Sequence, residues 1–359
     1  MQTQSKFRLL VVRLGAMGDI LHALPAVTAL RRIHPEWIIE WVVEPTWRAL
    51  LAAEGSLGRD TGSTRPLQPL VDRLHIASSK QWRKSPLASQ TRREINKLRH
   101  TLKSEHYDAV LDLQGALRSA VIGRMAASRR FIGESRPREW AARWLFTERV
   151  DTHTAHVIEQ DIELASAIAG DALTPVQPFL PTDPAAELWA DERLASGAGT
   201  PAVLINPGAG WGAKRWPVER YADVARGLLN RGYRLLVNAG PGEVFLADTI
   251  MKKTGGGATP LLGSIEQLIA ITRRVSLTIA GDTGPLHLAC ALGRPVVGIY
   301  GPTDPSRNGP YGTRFKVLRS PESRRDHTRH EAPEAGLLTI TPDDVLQAAD
   351  ELLYSEAAL

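Results

Sequence analysis

The sequence contains a single cysteine, Cys290, among 359 residues. One cysteine excludes a disulfide framework and a cysteine-based zinc site, and it indicates a reducing compartment. No uncharged apolar stretch approaches the roughly 18 residues that a membrane-spanning helix needs. The N-terminus runs directly into a strand-like segment, so we expect no secretory signal and a cytoplasmic protein. The 24 prolines and 30 glycines are spread along a chain of ordinary apolar content, which excludes collagen-like and low-complexity classes.

Positive charge is concentrated in one part of the chain. Between Lys80 and Arg143 there are fifteen Lys and Arg against six Asp and Glu, although the net charge of the whole chain is only +5. Such a segment suits a polyanionic partner, which could be nucleic acid, an acidic membrane surface or a phosphorylated substrate. A solvated helical face is the alternative that charge density alone leaves open.

Short apolar strands alternate with helical patterns in both halves of the sequence. The first half predicts a very basic helix between Pro86 and Lys103 and strands at 7–13, 37–43, 70–77 and 109–113. A loop with four prolines (173–184) precedes the second half, whose predicted strands are 202–206, 233–240, 276–281 and 295–301. Alternating strands and helices are typical of parallel sheets covered by helices on both faces.

The sequence therefore predicts an α/β protein with two Rossmann-like, doubly wound domains that face a central cleft. We expect the N-terminal domain to span residues 1–175 and the C-terminal domain residues 176–340. A C-terminal helix within residues 341–359 is expected to pack back toward the N-terminal domain.

The first strand is followed by the turn RLGAMGD (13–19), which is close to the dinucleotide fingerprint G-x-G-x-x-G. Arg13 occupies the first glycine position, so the match is incomplete. Glu40 or Glu44 could still bind a ribose, which leaves an NAD-dependent dehydrogenase open. Asp19 lies where doubly wound folds bind their ligands. It is a candidate functional carboxylate or simply a helix N-cap.

A second candidate is the glycine-rich loop LINPGAGWGAKRWP (204–217), which follows a predicted strand. Its small residues allow a ligand to approach the backbone, and Lys214 and Arg215 could contact a phosphate. The alternative is a flexible loop with solvated basic residues.

The third candidate is the segment 280–305, where Asp282, Thr283 and Gly284 form a turn before a helix that starts at Pro285. The N-terminus of such a helix suits a diphosphate. Asp282 would repel a diphosphate, so we place it on a sugar hydroxyl or on the acceptor side. His287 could reach a phosphate or merely pack.

Three segments resemble glycosyltransferase family 9, the ADP-heptose:lipopolysaccharide heptosyltransferases. They are RLGAMGDILHALP (13–25), PGAGWGAKRWP (207–217) and GDTGPLHLACALGRPVVGIYGPTDP (281–305). VLDLQGALRSA (110–120) and SKQWRKS (79–85) are similar to the family's N-domain strand and helix and to its basic acceptor-side loop. The resemblance implies a GT-B fold and an inverting transfer that needs no metal and no cofactor, with ADP-heptose as a co-substrate.

The resemblance also implies roles for individual residues. Asp19 matches the general base, and Lys214 matches the lysine that steadies the donor's phosphates and the departing ADP. The implied donor-binding positions are Gly208, Lys214, Glu243, Asp282, Thr283, Gly284 and His287. Among them, the resemblance places Glu243 at the ribose and Asp282 near the heptose hydroxyls. The implied acceptor-binding positions are Gly18, Arg83, Lys84, Gln114 and Arg118.

Within the family the likeness is nearer to heptosyltransferase I, which adds L-glycero-D-manno-heptose to the Kdo of the lipopolysaccharide inner core. The implied partners are a nucleotide-sugar donor, a Kdo-lipid A type glycolipid and, peripherally, the inner face of the cytoplasmic membrane. We expect a monomer that does not bind nucleic acid. Trp82, Trp140 and Trp144, which are interleaved with arginines, suit a membrane interface or sugar faces, with ordinary packing as the alternative.

Several alternatives stay open at this point. They are heptosyltransferase II or III, another GT-B transferase with a different donor or acceptor, the dehydrogenase and a non-catalytic polyanion binder. The sequence also departs from the family in two places. Gly208-Ala209-Gly210 replaces threonines that some members carry, and residues 324–345 lack the C-terminal cysteine cluster of many members.

Overall fold

The computed structural model describes residues 6–53, 70–195, 199–326, 328 and 330–354. The chain divides into two compact units, Met1–Pro181 and Thr182–Leu359. This boundary lies inside the proline-rich loop, slightly beyond the predicted residue 175. Within the described residues each unit has a six-stranded sheet in which all neighbouring strands are parallel. The predicted α/β class with two Rossmann-like sheets is confirmed.

The first unit has the strand order β3-β2-β1-β4-β5-β6. Its strands are β1 (Arg8–Val12), β2 (Ile38–Val43), β3 (Arg73–Ile76), β4 (Ala109–Asp112), β5 (Arg130–Glu134) and β6 (Glu148–Val150). Its helices are α1 (Met17–Ile33), α2 (Ser79–Lys84), α3 (Ser89–Ser104), α4 (Leu117–Arg124) and α5 (Val157–Ala169), with short 3-10 helices at Pro45–Leu50 and Trp140–Leu145.

The second unit repeats this arrangement with the order β12-β11-β10-β7-β8-β9. Its strands are β7 (Ala202–Asn206), β8 (Arg234–Asn238), β9 (Ala258–Leu261), β10 (Leu277–Gly281), β11 (Val296–Tyr300) and β12 (Phe315–Arg319). Its helices are α6 (Pro184–Ala195), α7 (Val218–Asn230), α8 (Val244–Lys253), α9 (Ile265–Thr272), α10 (Gly284–Ala291), α11 (Pro305–Asn308) and α12 (Pro342–Tyr354), with 3-10 helices at Gly212–Lys214 and Gly336–Thr339.

The central strands are apolar along almost their whole length because helices cover both faces of each sheet. In β7 and β10 every residue is buried, and in β1 only Arg8 is partly exposed. The strand order reverses at β1 and β4 in the first unit and at β7 and β10 in the second. Loops that leave the carboxyl ends of such strands form the ligand-binding edge of a doubly wound sheet.

The C-terminal helix α12 packs within the second unit, on α7 and on β10 to β12. Its apolar side chains Val345, Ala349, Leu352 and Leu353 join the core that also contains Leu228 of α7. The apolar stripe of α12 thus completes the core of its own unit, and the expectation that this helix packs back toward the N-terminal domain stays a prediction. Residues 355–359 lie outside the described residues.

Candidate active site

Asp19 lies in the first turn of α1, after the loop that leaves β1. It is the third residue of the helix, and the N-cap position is held by Ala16. The Asp19 Oδ2 accepts a hydrogen bond from the Ala16 N–H at 3.0 Å, and Oδ1 lies 3.5 Å from Arg13 Nη2. The side chain is nevertheless 37% exposed. Asp19 is therefore not the N-cap residue, but its carboxylate caps the helix from the N3 position of a capping box and is at the same time open to a ligand.

Arg13 takes the place of the first glycine in the dinucleotide fingerprint, and the structure gives it a partner of its own. Its guanidinium is buried, and Nε donates to the Asp19 main-chain oxygen at 3.1 Å. Glu40, offered as the ribose acid of a dehydrogenase, is also buried and accepts from the Tyr107 hydroxyl at 2.6 Å. Glu44 accepts from the Lys80 N–H at 3.1 Å and from the Ser79 hydroxyl. Both acids of the dehydrogenase alternative are thus engaged within the protein.

Two further carboxyl groups, those of Asp112 and Asp161, are buried near Arg13. Burial raises the pKa of Asp112 to about 6 and that of Asp161 to about 7, although the charge of Arg13 acts to lower both. Asp112 Oδ1 accepts from two main-chain N–H groups at 2.7 Å. Among the described residues the Oδ2 atoms of Asp112 and Asp161 have no hydrogen-bond partner. Sequence reasoning missed Asp161, which differs from the other two acidic residues of α5, Glu159 and Glu163, in lying on the buried face of the helix with Ile158 and Ala165.

The predicted acceptor residues of the first unit fall into two groups. Gly18 is in α1 beside Asp19, and buried Gln114 reaches the same loop because its Oε1 accepts from the Leu14 N–H at 2.8 Å. Arg83, Lys84 and Arg118 are exposed side chains on α2 and α4.

Trp82 is buried at the centre of α2, and its Nε1 donates to Glu94 Oε2 at 2.7 Å. For this tryptophan the packing interpretation is correct.

Lys214 and Asp282 form an ion pair that joins the loops after β7 and β10. Lys214 Nζ also lies 3.3 Å from the Asp282 main-chain oxygen and 4.3 Å from the centre of the Trp211 ring. On its other side the Asp282 carboxylate is 3.1 Å from His287 Nε2. Burial acts to raise the pKa of Asp282, but the His287 hydrogen bond and the Lys214 charge together lower that pKa well below its usual range. Asp282 is therefore a buried carboxylate in its ionised form.

Thr283 and Gly284 stand at the start of α10, with Thr283 as its N-cap residue. The Thr283 hydroxyl donates to the Gly281 main-chain oxygen at 3.2 Å. The side-chain amide of Asn206, at the end of β7, donates to the Thr283 hydroxyl at 3.4 Å. The positive end of the α10 dipole thus opens beside the Lys214–Asp282 pair, where an anionic group is stabilised.

Glu243 and Gly208 are in direct contact, although they belong to different loops. A Cβ atom on Gly208 would lie 2.2 Å from Glu243 Oε2, so any larger residue there would displace this carboxylate from its present position. Asn206 and Asn238 extend the polar cluster, since Asn238 Nδ2 donates to Asn206 Oδ1 at 2.6 Å and Asn206 Nδ2 donates to the Gly208 oxygen at 3.3 Å. Sequence reasoning missed the two asparagines, whose signal is a polar residue ending an apolar strand.

The structure therefore brings the predicted donor residues together within the second unit. Gly208 contacts Glu243, and Lys214 and His287 both contact Asp282. Across the described parts of the chain, no group of three His, Cys, Asp or Glu side chains is arranged to hold a metal ion. None of the described helices is long and apolar enough to cross a membrane.

Comparison with known proteins identifies the class to which this fold and site belong. The sequence profile described as glycosyltransferase family 9 (heptosyltransferase) matches residues 95–337, which is more than half of the chain. The chain therefore belongs to glycosyltransferase family 9 and is a glycosyltransferase.

Individual relatives cover nearly the whole chain. It is similar to lipopolysaccharide heptosyltransferase 1 of Escherichia coli K12, with 28% identity over 88% of this chain and 94% of that protein. It is also similar to lipopolysaccharide heptosyltransferase 2 of the same strain, with 24% identity over 98% of this chain and 100% of that protein. The solved structure of E. coli heptosyltransferase WaaC with ADP matches with a TM-score of 0.77 and 26% identity, covering 96% of this chain and 100% of that one. The predicted GT-B fold class is confirmed by this likeness.

Proposed function

We propose that the protein transfers L-glycero-D-manno-heptose from ADP-heptose to the Kdo of the lipopolysaccharide inner core, as a heptosyltransferase of type I. The observation that carries the proposal is the arrangement of Lys214 and Asp282 beside the N-terminus of α10. It supplies positive charge for a diphosphate and an ionised carboxylate for sugar hydroxyls. The likeness to heptosyltransferases supports the choice of donor and acceptor.

The donor half of the mechanism uses the second unit. Lys214 and the N-terminus of α10 stabilise the negative charge that develops on ADP as the bond between the anomeric carbon and the diphosphate oxygen breaks. Asp282 accepts hydrogen bonds from heptose hydroxyls, Glu243 accepts from the ribose hydroxyls, and Gly208 lets the nucleotide approach the backbone. In this scheme Lys214 and the N-terminus of α10 stabilise the charge of the leaving ADP, and the reaction uses no metal or cofactor.

The acceptor half uses the first unit. The Asp19 carboxylate removes the proton from the attacking Kdo hydroxyl as its oxygen bonds to the anomeric carbon, which inverts the configuration there. Arg13 and the Ala16 N–H hold this carboxylate in one orientation. Arg83, Lys84 and Arg118 bind phosphates and carboxylates of the acceptor, since guanidinium and ammonium groups pair with both anions.

The acceptor is attached to lipid, so we propose that the protein works as a monomer at the inner face of the cytoplasmic membrane. Its catalytic residues need polar surroundings, whereas the acceptor presents its sugars at the edge of the bilayer. A peripheral enzyme satisfies both conditions.

To test this proposal, purified protein is incubated with ADP-heptose and one of two acceptors. The acceptors are Kdo-bearing lipid A and the same lipid already carrying one heptose, and the masses of the products are measured by mass spectrometry. The proposal expects a mass gain of one heptose on the first acceptor only. Transfer only to the heptose-bearing lipid would replace type I by type II, and no transfer to either would overturn the proposed function.

A further inference from the structure

The helical layer on one face of the first sheet carries most of the protein's excess positive charge. Helices α2, α3 and α4 and the 3-10 helix Trp140–Leu145 share one apolar core on that face, with contributions from Trp82, Leu98, Ile122 and Ala142. We call this surface the basic layer, formed by residues 79–104, 117–124 and 140–145. It contains eleven Lys and Arg but only one Asp or Glu. Because the whole chain has a net charge of only +5, the remainder of the chain is net negative.

Five large apolar side chains in the same layer are exposed. Trp140 and Trp144 are 58% and 70% exposed, and Leu87 is 79% exposed. Leu117 and Val121 are also exposed, one turn apart on the outer side of α4, which packs against the 3-10 helix that bears both tryptophans. Large apolar groups clustered in water are unfavourable and mark a surface that meets a partner.

Arg143 joins the two tryptophans into one group. Its guanidinium carbon lies 4.0 Å from the centre of the Trp140 ring and 5.5 Å from that of Trp144. Indole rings beside arginines are typical of the boundary between bilayer and water, where the ring meets acyl chains and the cation meets phosphate. The aliphatic Leu87, Leu117 and Val121 fit acyl chains as well, whereas the edges and phosphates of a nucleic acid offer them nothing comparable.

We propose that the basic layer docks on an anionic lipid bilayer, with Trp140 and Trp144 entering the headgroup region and the surrounding Arg and Lys side chains meeting lipid phosphates. The inference rests on the proposed function in that a membrane-bound acceptor gives docking a purpose. It extends that function by assigning the membrane contact to one face of the first unit. Net positive charge attracts anionic lipid, and the inserted indoles make the attachment less sensitive to salt than charge alone would be.

The test is sedimentation of the full-length protein with acceptor-free vesicles of phosphatidylcholine, with and without phosphatidylglycerol. Wild type is expected to bind the anionic vesicles and to bind the neutral ones at least about tenfold more weakly. Trp140→Ala with Trp144→Ala is expected to lower binding about tenfold. Arg92→Gln with Arg93→Gln, at exposed positions of α3, is expected to lower it by a similar factor.

Two matched controls separate docking from a general loss of charge or apolar surface. Leu188→Ala with Tyr354→Ala removes side chains of the second unit that are 61% and 66% exposed, and Lys252→Gln with Lys253→Gln removes two exposed cations there. Both are expected to bind vesicles like wild type. Thermal unfolding of every variant verifies that the fold is intact, and quenching of tryptophan fluorescence by brominated lipid gives a second readout that Trp140→Ala with Trp144→Ala should weaken.

The outcomes distinguish docking from the proposed reaction. Heptose transfer to a detergent-dispersed acceptor without any vesicle binding would overturn docking and leave the function standing. Vesicle binding that depends on Trp140 and Trp144 but no transfer would support docking and reject the function. Equal loss of binding in the control variants, or binding to nucleic acid with no response to anionic lipid, would also overturn the proposal.

Discussion

Lys214 and Asp282 form an ion pair across 68 positions of sequence, in which the Asp282 carboxylate is buried and the Lys214 side chain is 11% exposed. This pair joins the loops at the switch point of the second sheet. The two groups hold each other in place before any ligand arrives. Asp282 is also held by His287. The carboxylate is therefore fixed from two sides, and it in turn orients the Lys214 ammonium. Such preorganised charge is what stabilises a leaving diphosphate most effectively.

Replacing Lys214 by Ala is expected to weaken donor use and slow transfer together. A charge-assisted contact to a phosphate contributes about 1.5–3 kcal/mol, so kcat/KM for ADP-heptose should fall roughly ten- to a hundredfold. Steady-state ADP release over a range of donor concentrations measures both parameters. Lys252→Ala, an exposed lysine of the same unit, serves as the control, and unchanged kinetics in Lys214→Ala would remove the phosphate role.

The contact between Gly208 and Glu243 predicts that alanine substitutions at Gly208 and at Gly210, two glycines of the same loop, change the Kd for ADP differently. Gly208→Ala places a Cβ against the Glu243 carboxylate and should raise the Kd for ADP, whereas Gly210→Ala meets nothing within 4 Å and should leave it unchanged. Glu243→Ala should also raise the Kd because a ribose contact is lost. Calorimetric titration with ADP measures each variant. In the double variant Gly208→Ala with Glu243→Ala, the Kd should be no higher than in Glu243→Ala alone, and additive losses would show that the two residues act independently.

The buried carboxyl of Asp161 predicts a stability that depends on pH. Burial raises its pKa to about 7, above its value of about 3.9 in an unfolded chain. Between these two values the folded protein holds a proton that the unfolded chain releases, so this group lowers the stability as pH rises. The groups that set its charge environment are Arg13, Asp19, Asp112 and Glu134.

Asp161→Asn removes this titration and should gain stability relative to wild type as pH rises from about 4 to about 7, by on the order of a few kcal/mol. Urea unfolding across that range measures the difference between the two proteins. Asp171→Asn changes an exposed residue just after α5 and should show no comparable trend. A stability difference between Asp161→Asn and wild type that does not change with pH would contradict the assignment.

Gln114 was predicted as an acceptor residue, and its hydrogen bond to the Leu14 N–H suggests that it acts through the Asp19 loop. Gln114→Ala leaves a buried N–H without this acceptor, which costs about 1–3 kcal/mol of unfolding free energy. Turnover should fall with little change in the KM for the donor. Arg118→Ala, at an exposed position, is the comparison. It should raise the KM for the acceptor without loss of stability, and the reverse pattern would exchange the two roles.

The central strands and the turns after them could be predicted from sequence because they depend on local patterns. β1, β4, β7 and β10 are short apolar runs, and glycine or aspartate follows each of them within a few residues. Helix α7 (Val218–Asn230) likewise has a local pattern, since its buried residues recur at helical spacing. These elements carry the loops of the candidate site, so the site could be located before its geometry was known.

Four strands, β5, β6, β9 and β12, were not recognised from the sequence. β6 contains two charged residues in three, and β9 contains a proline at its third position, so neither has the apolar pattern that marks a buried strand. The contacts between Gly208 and Glu243 and between Arg13 and Asp19 were equally hidden, because they depend on tertiary packing. The contacts of α12 within the second unit were hidden as well, since an amphipathic stripe shows that a helix packs but does not say on what.

The role of Asp19 is tested most directly by acceptor-dependent ADP release from ADP-heptose, comparing wild type with Asp19→Asn at matched donor occupancy. Asn keeps the size of the side chain but cannot take a proton, so release should become nearly undetectable while the Kd for the donor stays close to that of wild type. Loss of release with intact donor binding would support Asp19 as the base that activates the acceptor hydroxyl. Release that continues at the wild-type rate in Asp19→Asn would contradict it.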